Sequence, residues 1–151
     1  MNKKSNKKNY KEKELVIYKP DTESYLELPL IEKIRAGFPS PADDFIEMPL
    51  DLNKALIKNP SATFFAKVVG NSMIDADIND GDILIIDRSI EPTDGKIAVC
   101  FIDGEFTLKR LSIKGNECYL VPANNNYKPI KVTQENNFII WGIVTHIIKK
   151  V

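Results

Sequence analysis

The sequence predicts a mainly β protein, a compact domain of mostly antiparallel strands with short helices, preceded by an extended N-terminal arm. From about residue 60 onward, short apolar runs recur between turn signals, the pattern of strands rather than of long helices. The turns carry their own chemistry: Asp80-Gly81, Asp94-Gly95, Asp103-Gly104 and Gly115-Asn116. Upstream, prolines at 20, 29, 39, 41 and 49 break any long helix. A chain of 151 residues with 43% hydrophobic content buries one ordinary core, so one domain plus an arm is expected.

Residues 1–14 carry six lysines and too little apolar surface to offset their chain entropy, which predicts a disordered tail. No apolar stretch follows these lysines, so they do not read as a secretion signal. Residues 15–50 read as the arm, with a helical turn or two near Leu30 to Arg35. The domain proper is expected over 51–151. Asp51 can cap a short helix, Leu52 to Lys58, which Asn59-Pro60 stops. Strands are then expected at Thr63 to Val69, Ile83 to Asp87, Lys96 to Ile102, Glu105 to Ile113, Cys118 to Val121, Ile130 to Val132 and Phe138 to Ile148. Asp103-Gly104 is the strongest hairpin signal, because a two-residue turn needs positive φ and Asp-Gly supplies it.

The bulk numbers exclude several function classes. With 21 basic and 21 acidic side chains the net charge is zero, so no whole-molecule field draws the chain onto nucleic acid. Two cysteines, Cys100 and Cys118, fit free thiols in a reducing, cytoplasmic compartment better than a disulfide scaffold. No run of roughly 18 apolar residues is present to cross a bilayer, which counts against a membrane-anchored signal peptidase. The two cysteines and single His146 make no zinc spacing, and no metal or cofactor is expected. Asp75 to Gly81 resembles a calcium loop only superficially: counted from Asp75, Asp80 stands where glycine is needed and Ile86 where glutamate is needed. Those acids are assigned to turns and caps. His146 reads as a strand residue, and Phe64, Phe65, Tyr127 and Trp141 as core or dimer packing.

Two residues stand out as a possible hydrolytic centre. Ser72 opens a probable helical turn, Met73 to Ile78, directly after a strand. Unpaired backbone N–H groups at such a junction can be capped by a serine or can hold an oxyanion. Lys109 lies in a strand where Thr107, Lys109 and Leu111 share one face and Phe106, Leu108 and Arg110 the other. If the first face is wet, Lys109 is an ordinary surface lysine. If it is packed, a neutral amine there is the base that a serine nucleophile needs.

The runs Gly70-Asn-Ser-Met-Ile-Asp75, Asp80-Gly-Asp-Ile-Leu-Ile-Ile-Asp87 and Asp103-Gly-Glu-Phe-Thr-Leu-Lys109-Arg-Leu111 closely resemble the LexA/UmuD family of self-cleaving serine peptidases. Ala36-Gly-Phe-Pro-Ser-Pro-Ala42 and Asp51-Leu-Asn-Lys-Ala-Leu-Ile57 resemble its UmuD branch in particular. The likeness runs from about Leu15 to the end. It implies Ser72 as nucleophile, Lys109 as general base and Ala36-Gly37 as the scissile bond in the protein's own arm. It further implies a homodimer, cleavage stimulated by a RecA filament on single-stranded DNA, and a trimmed form that joins the catalytic subunit of an error-prone translesion DNA polymerase. Ala36 departs from the cysteine of the best-known member of that branch and matches the residue usual in LexA-type repressors. Two alternatives remain: a non-cleaving polymerase-binding subunit, and a LexA-like or phage-type repressor. The repressor requires a DNA-binding domain of roughly 60 residues before the cut, where only 36 precede it, so no direct sequence-specific DNA binding is expected.

Overall fold

The computed structural model describes residues 15–20, 27–31 and 47–151. In chain order the elements are β1 (Leu15–Tyr18), β2 (Glu27–Ile31), β3 (Glu47–Asp51), α1 (Leu52–Leu56), β4 (Thr63–Val68), β5 (Ile83–Asp87), β6 (Ile97–Ile102), β7 (Glu105–Lys114), β8 (Glu117–Val121), β9 (Ile130–Val132) and β10 (Phe138–Ile148). Eight strands form one sheet in the order β1-β4-β5-β10-β6-β7-β8-β9, and β2 pairs with β3 in a separate ribbon. Every pairing is antiparallel. The mainly β class expected from the turn spacing is the class found.

Local chemistry explains the best-defined pieces. Asp103 and Gly104 both adopt positive φ, 49° and 88°, and join β6 to β7 with Ile102 opposite Glu105. That is the two-residue turn whose twist matches the strands it connects. Asp51 caps α1 by accepting the Asn53 N–H at 2.9 Å. The helix stops at Leu56, two residues short of the expected Lys58, as Ile57 turns extended before Pro60.

Two expectations for the arm meet the structure differently. Leu30 and Ile31, placed by the sequence at the start of a helical turn, are strand residues in β2. Pro29 stands opposite Pro49 in the β2–β3 ribbon. Each strand of a two-stranded ribbon has an outer edge, where a missing N–H costs no ladder bond, so proline is tolerated there. The remainder of that expected turn, the lysine-rich tail of residues 1–14 and the Ala36-Gly37 bond lie outside the described residues.

The sheet is packed on both sides. Alternate residues of β6 enter different clusters: Ile97 and Val99 join Leu84, Ile86 and Leu108, while Ala98, Cys100 and Ile102 join Leu111, Leu120 and Ile143. β10 pairs with both β5 and β6 and shifts register around Trp141 and around Thr145. Gly142 lies between those shifts, and a Cβ there would meet Ile86 Cγ2 at 2.5 Å. Among the described residues no helix is long and apolar enough to cross a membrane.

Candidate active site

Ser72 is held by a loop pinned from both sides. Where β4 ends, Val68 donates its N–H to the Asp82 carbonyl and accepts from the Gly81 N–H, both at 2.8 Å. Gly70 then turns the chain at φ 95°, a conformation costly for any residue with a Cβ, and its N–H donates to Asp80 Oδ1 at 2.8 Å. On the far side, the Asn71 carbonyl accepts from Asn124 Nδ2 and the Asn71 side-chain oxygen accepts from the Tyr127 hydroxyl, both at 2.8 Å. Met73 is buried, and its sulfur accepts the Ala123 N–H at 3.3 Å. A single turn of 3₁₀ helix, Ile74–Ala76, follows and ends at Asp77 in the left-handed region.

This geometry separates the two readings of Ser72. Met73, not Ser72, occupies the cap position of that short turn, and no side chain caps it. The Ser72 hydroxyl instead meets Lys109, whose Nζ lies 3.3 Å from Ser72 Oγ. The backbone N–H groups of Asn71, Ser72 and Met73 have no hydrogen-bond partner among the described residues.

Lys109 is on the packed face of its strand. Thr107, Lys109 and Leu111 are 8%, 4% and 1% exposed, whereas on the other face Phe106 and Arg110 are exposed and Leu108 between them is buried. Ala98 stands opposite Lys109 in β6. The amine donates to Thr107 Oγ1 at 2.7 Å and to the Leu108 carbonyl at 3.0 Å, besides its contact with Ser72. The role of Thr107 was not drawn from sequence, although its position two residues before Lys109, on the same face, is the signal that marks it.

Ser72 and Lys109 open on a groove of about 820 Å³, lined in part by Leu15, Gly70, Phe106, Tyr127 and Ile130. Tyr127 is therefore not a core residue: it stands at the groove and is 44% exposed. Phe64 and Trp141 do pack together, ring centroids 5.0 Å apart, with Arg88 over the indole at 4.6 Å. His146 lies in β10 beside Thr145, away from the groove-lining residues. Cys100 and Cys118 are free thiols. Burial pushes the Cys100 thiol up to about 12, with Cys118 adding to the rise and the Lys109 charge opposing it, so Cys100 is a packing residue rather than a nucleophile. The acids of the Asp75–Asp82 segment serve turns, as Asp80 does for Gly70, and among the described residues no group of three or more His, Cys, Asp or Glu side chains could hold a metal ion.

Comparison with known proteins gives the family. Residues 29–145 match the family described as Peptidase S24-like. The chain is 42% identical to Protein MucA of Salmonella typhimurium over 117 residues, 77% of this chain and 80% of that protein. It is 40% identical to Protein ImpA of Shigella flexneri over 128 residues, 85% and 87% of the two chains. Protein SamA of Salmonella typhimurium is 42% identical over 119 residues, 79% of this chain and 82% of the other. With a family match over most of the chain and relatives of this closeness, the chain belongs to the S24 peptidase family, among its UmuD-type members.

Proposed function

We propose that this protein cleaves its own arm between Ala36 and Gly37, with Ser72 as nucleophile and Lys109 as general base. The observation that carries the reading is the 3.3 Å contact between a buried lysine amine and a serine hydroxyl in the wall of a groove. A neutral amine has two hydrogens and one lone pair. The Leu108 carbonyl and the Thr107 hydroxyl accept from the amine at 3.0 Å and 2.7 Å, which holds Lys109 beside Ser72, where its lone pair can take the hydroxyl proton. The hydroxyl proton passes to Lys109 as Ser72 Oγ attacks the Ala36 carbonyl, and the unpartnered N–H groups of the nucleophile's loop can hold the developing oxyanion. Lys109 returns the proton to the Gly37 amine as the peptide bond breaks. Water then frees the acyl group from Ser72.

The scissile bond belongs to the same chain as the site, so tethering supplies a high effective concentration and a modest dyad suffices for one turnover. In this reading residues 1–14 are a tail, 15–50 the arm and 51–151 the peptidase domain of a cytoplasmic homodimer. A RecA filament on single-stranded DNA stimulates the cut, and the trimmed form serves the catalytic subunit of a translesion DNA polymerase in SOS mutagenesis. Kinship with UmuD-type proteins supports that setting.

Incubating purified protein across neutral to alkaline pH tests the chemistry. Cleavage is expected to accelerate toward alkaline pH, because only an unprotonated amine can accept the serine proton, yielding one fragment that ends at Ala36 and one that begins at Gly37. S72A and K109A are each expected to abolish it. Equal cutting of S72A would remove Ser72 as nucleophile.

A further inference from the structure

The strands upstream of residues 32–46 pair with strands downstream of them. β1 lies on β4 from Leu15 opposite Val68 to Tyr18 opposite Phe65, and β2 lies on β3 from Glu27 opposite Asp51 to Ile31 opposite Glu47. Any cut within residues 32–46 therefore leaves β1 and β2 on one piece, with β3 and β4 on the other. We propose that the severed N-terminal segment stays bound as a two-strand peptide ligand, and that its release uncovers a peptide-binding site on the β4 edge. The inference rests on the proposed cleavage in the arm, but the site itself belongs to the described fold.

β1 is more than a strand laid on an edge. Leu15 is only 6% exposed and joins the cluster of Ala66, Val68, Met73 and Leu108, with Ile17 packed beside it. Leu15 also contributes to the groove that holds Ser72. The amides of β4 alternate in direction. Val68 donates to the Asp82 carbonyl, so Ala66 likewise faces β5, while Phe65 and Lys67 face β1. Loss of β1 leaves those two donors at an open edge beside an apolar notch, which suits an extended peptide with apolar side chains two residues apart. A short strand on its own holds weakly. Two strands on one segment hold better, because each keeps the other at high local concentration. Breaking the peptide bond and exposing the edge thus become separate steps.

Two preparations test this: the wild type after self-cleavage, and full-length S72A with a recognition site for an added protease in place of residues 38–42, nicked by that protease. Gel filtration with mass spectrometry is expected to show the segment near one-to-one with the body in both. Introducing L15D should cut retention at least about tenfold, since a carboxylate cannot enter that notch without losing its hydration. Hydrogen exchange gives the second readout: Phe65 and Lys67 amides protected while the segment is bound and fast when it is lost, with Ala66 and Val68 protected throughout as proof that the body is folded. Free elution of the segment from nicked S72A, with Phe65 and Lys67 exchanging rapidly, overturns the proposal. If the wild type does not cut itself but the nicked chain keeps its segment, self-cleavage falls and the binding site stands.

Discussion

At the scale of single residues, Ser72 and Lys109, the proposed nucleophile and base, are marked by different kinds of information. Ser72 was legible from its position after a strand, in a run opening with glycine. Lys109 was legible only as an alternative, because strand alternation assigns it to a face without saying which face is buried. What decides is the pairing of β7 with β6, which sets Ala98 opposite Lys109, and no local pattern reports that register. Thr107 shows the same limit: its face was readable, its 2.7 Å bond to the amine was not. On the proposed mechanism this hydroxyl helps to hold the lysine amine in line with Ser72. T107V is expected to slow self-cleavage by about 10- to 100-fold, the loss typical of a reacting group held off line. T107S keeps the hydroxyl and is expected to stay within a few-fold of wild type, an outcome that separates aiming from packing. Quantifying both fragments over time at a fixed alkaline pH gives the comparison.

At the scale of elements, β4 to β10 were readable to within a residue at each end, because β-branched and aromatic runs between Asp-Gly or Gly-Asn turns leave little choice. The arm was not. Its prolines announce the absence of helix, but proline is also compatible with a two-stranded ribbon, and pairing between β2 and β3 spans a long connection that leaves no local signature. β10 hides a second feature, the two register shifts that let one strand serve both β5 and β6. Such shifts bend a strand and turn its side chains, and they are fixed by neighbours on both sides. Gly142 is where the sheet makes room. A methyl group there would press on Ile86 Cγ2 at 2.5 Å and on Arg88 Cγ at 3.2 Å, and Ile86 is fully buried. G142A is expected to destabilise the fold by about 1–3 kcal/mol, the usual cost of overpacking, read as a lowered urea midpoint with an unchanged slope.

At the scale of the whole molecule, the C-terminal segment is tied back to the loop that carries Ser72. Lys149, just past β10, pairs with Asp82 at 2.5 Å and reaches Asp77 at 3.7 Å. Asp82 also accepts the Asn79 N–H, and its carbonyl receives the Val68 N–H at the end of β4. Burial of the Asp82 carboxyl works to raise its pKa, but the Asn79 N–H and the Lys149 ammonium outweigh it and hold the group below the usual 3.8. Asp87 is lowered likewise, its burial outweighed by hydrogen bonds from Ser89 and Asn59. A carboxyl that is more acidic in the folded chain than in the unfolded one stabilises the fold fully above its unfolded value. That contribution drains away as pH falls through the folded value. The protein is therefore expected to lose stability from the ordinary carboxylate range near 3.8 downward, with Asp82 and Asp87 sharing the loss. D82N removes one of the two linked groups. Its stability at neutral pH drops because Lys149 loses its nearer charged partner, and its urea midpoint then falls less steeply than that of wild type between pH 5 and pH 3. Equal acid slopes for the two proteins would mean that the Asp82–Lys149 tie adds nothing to the fold in solution.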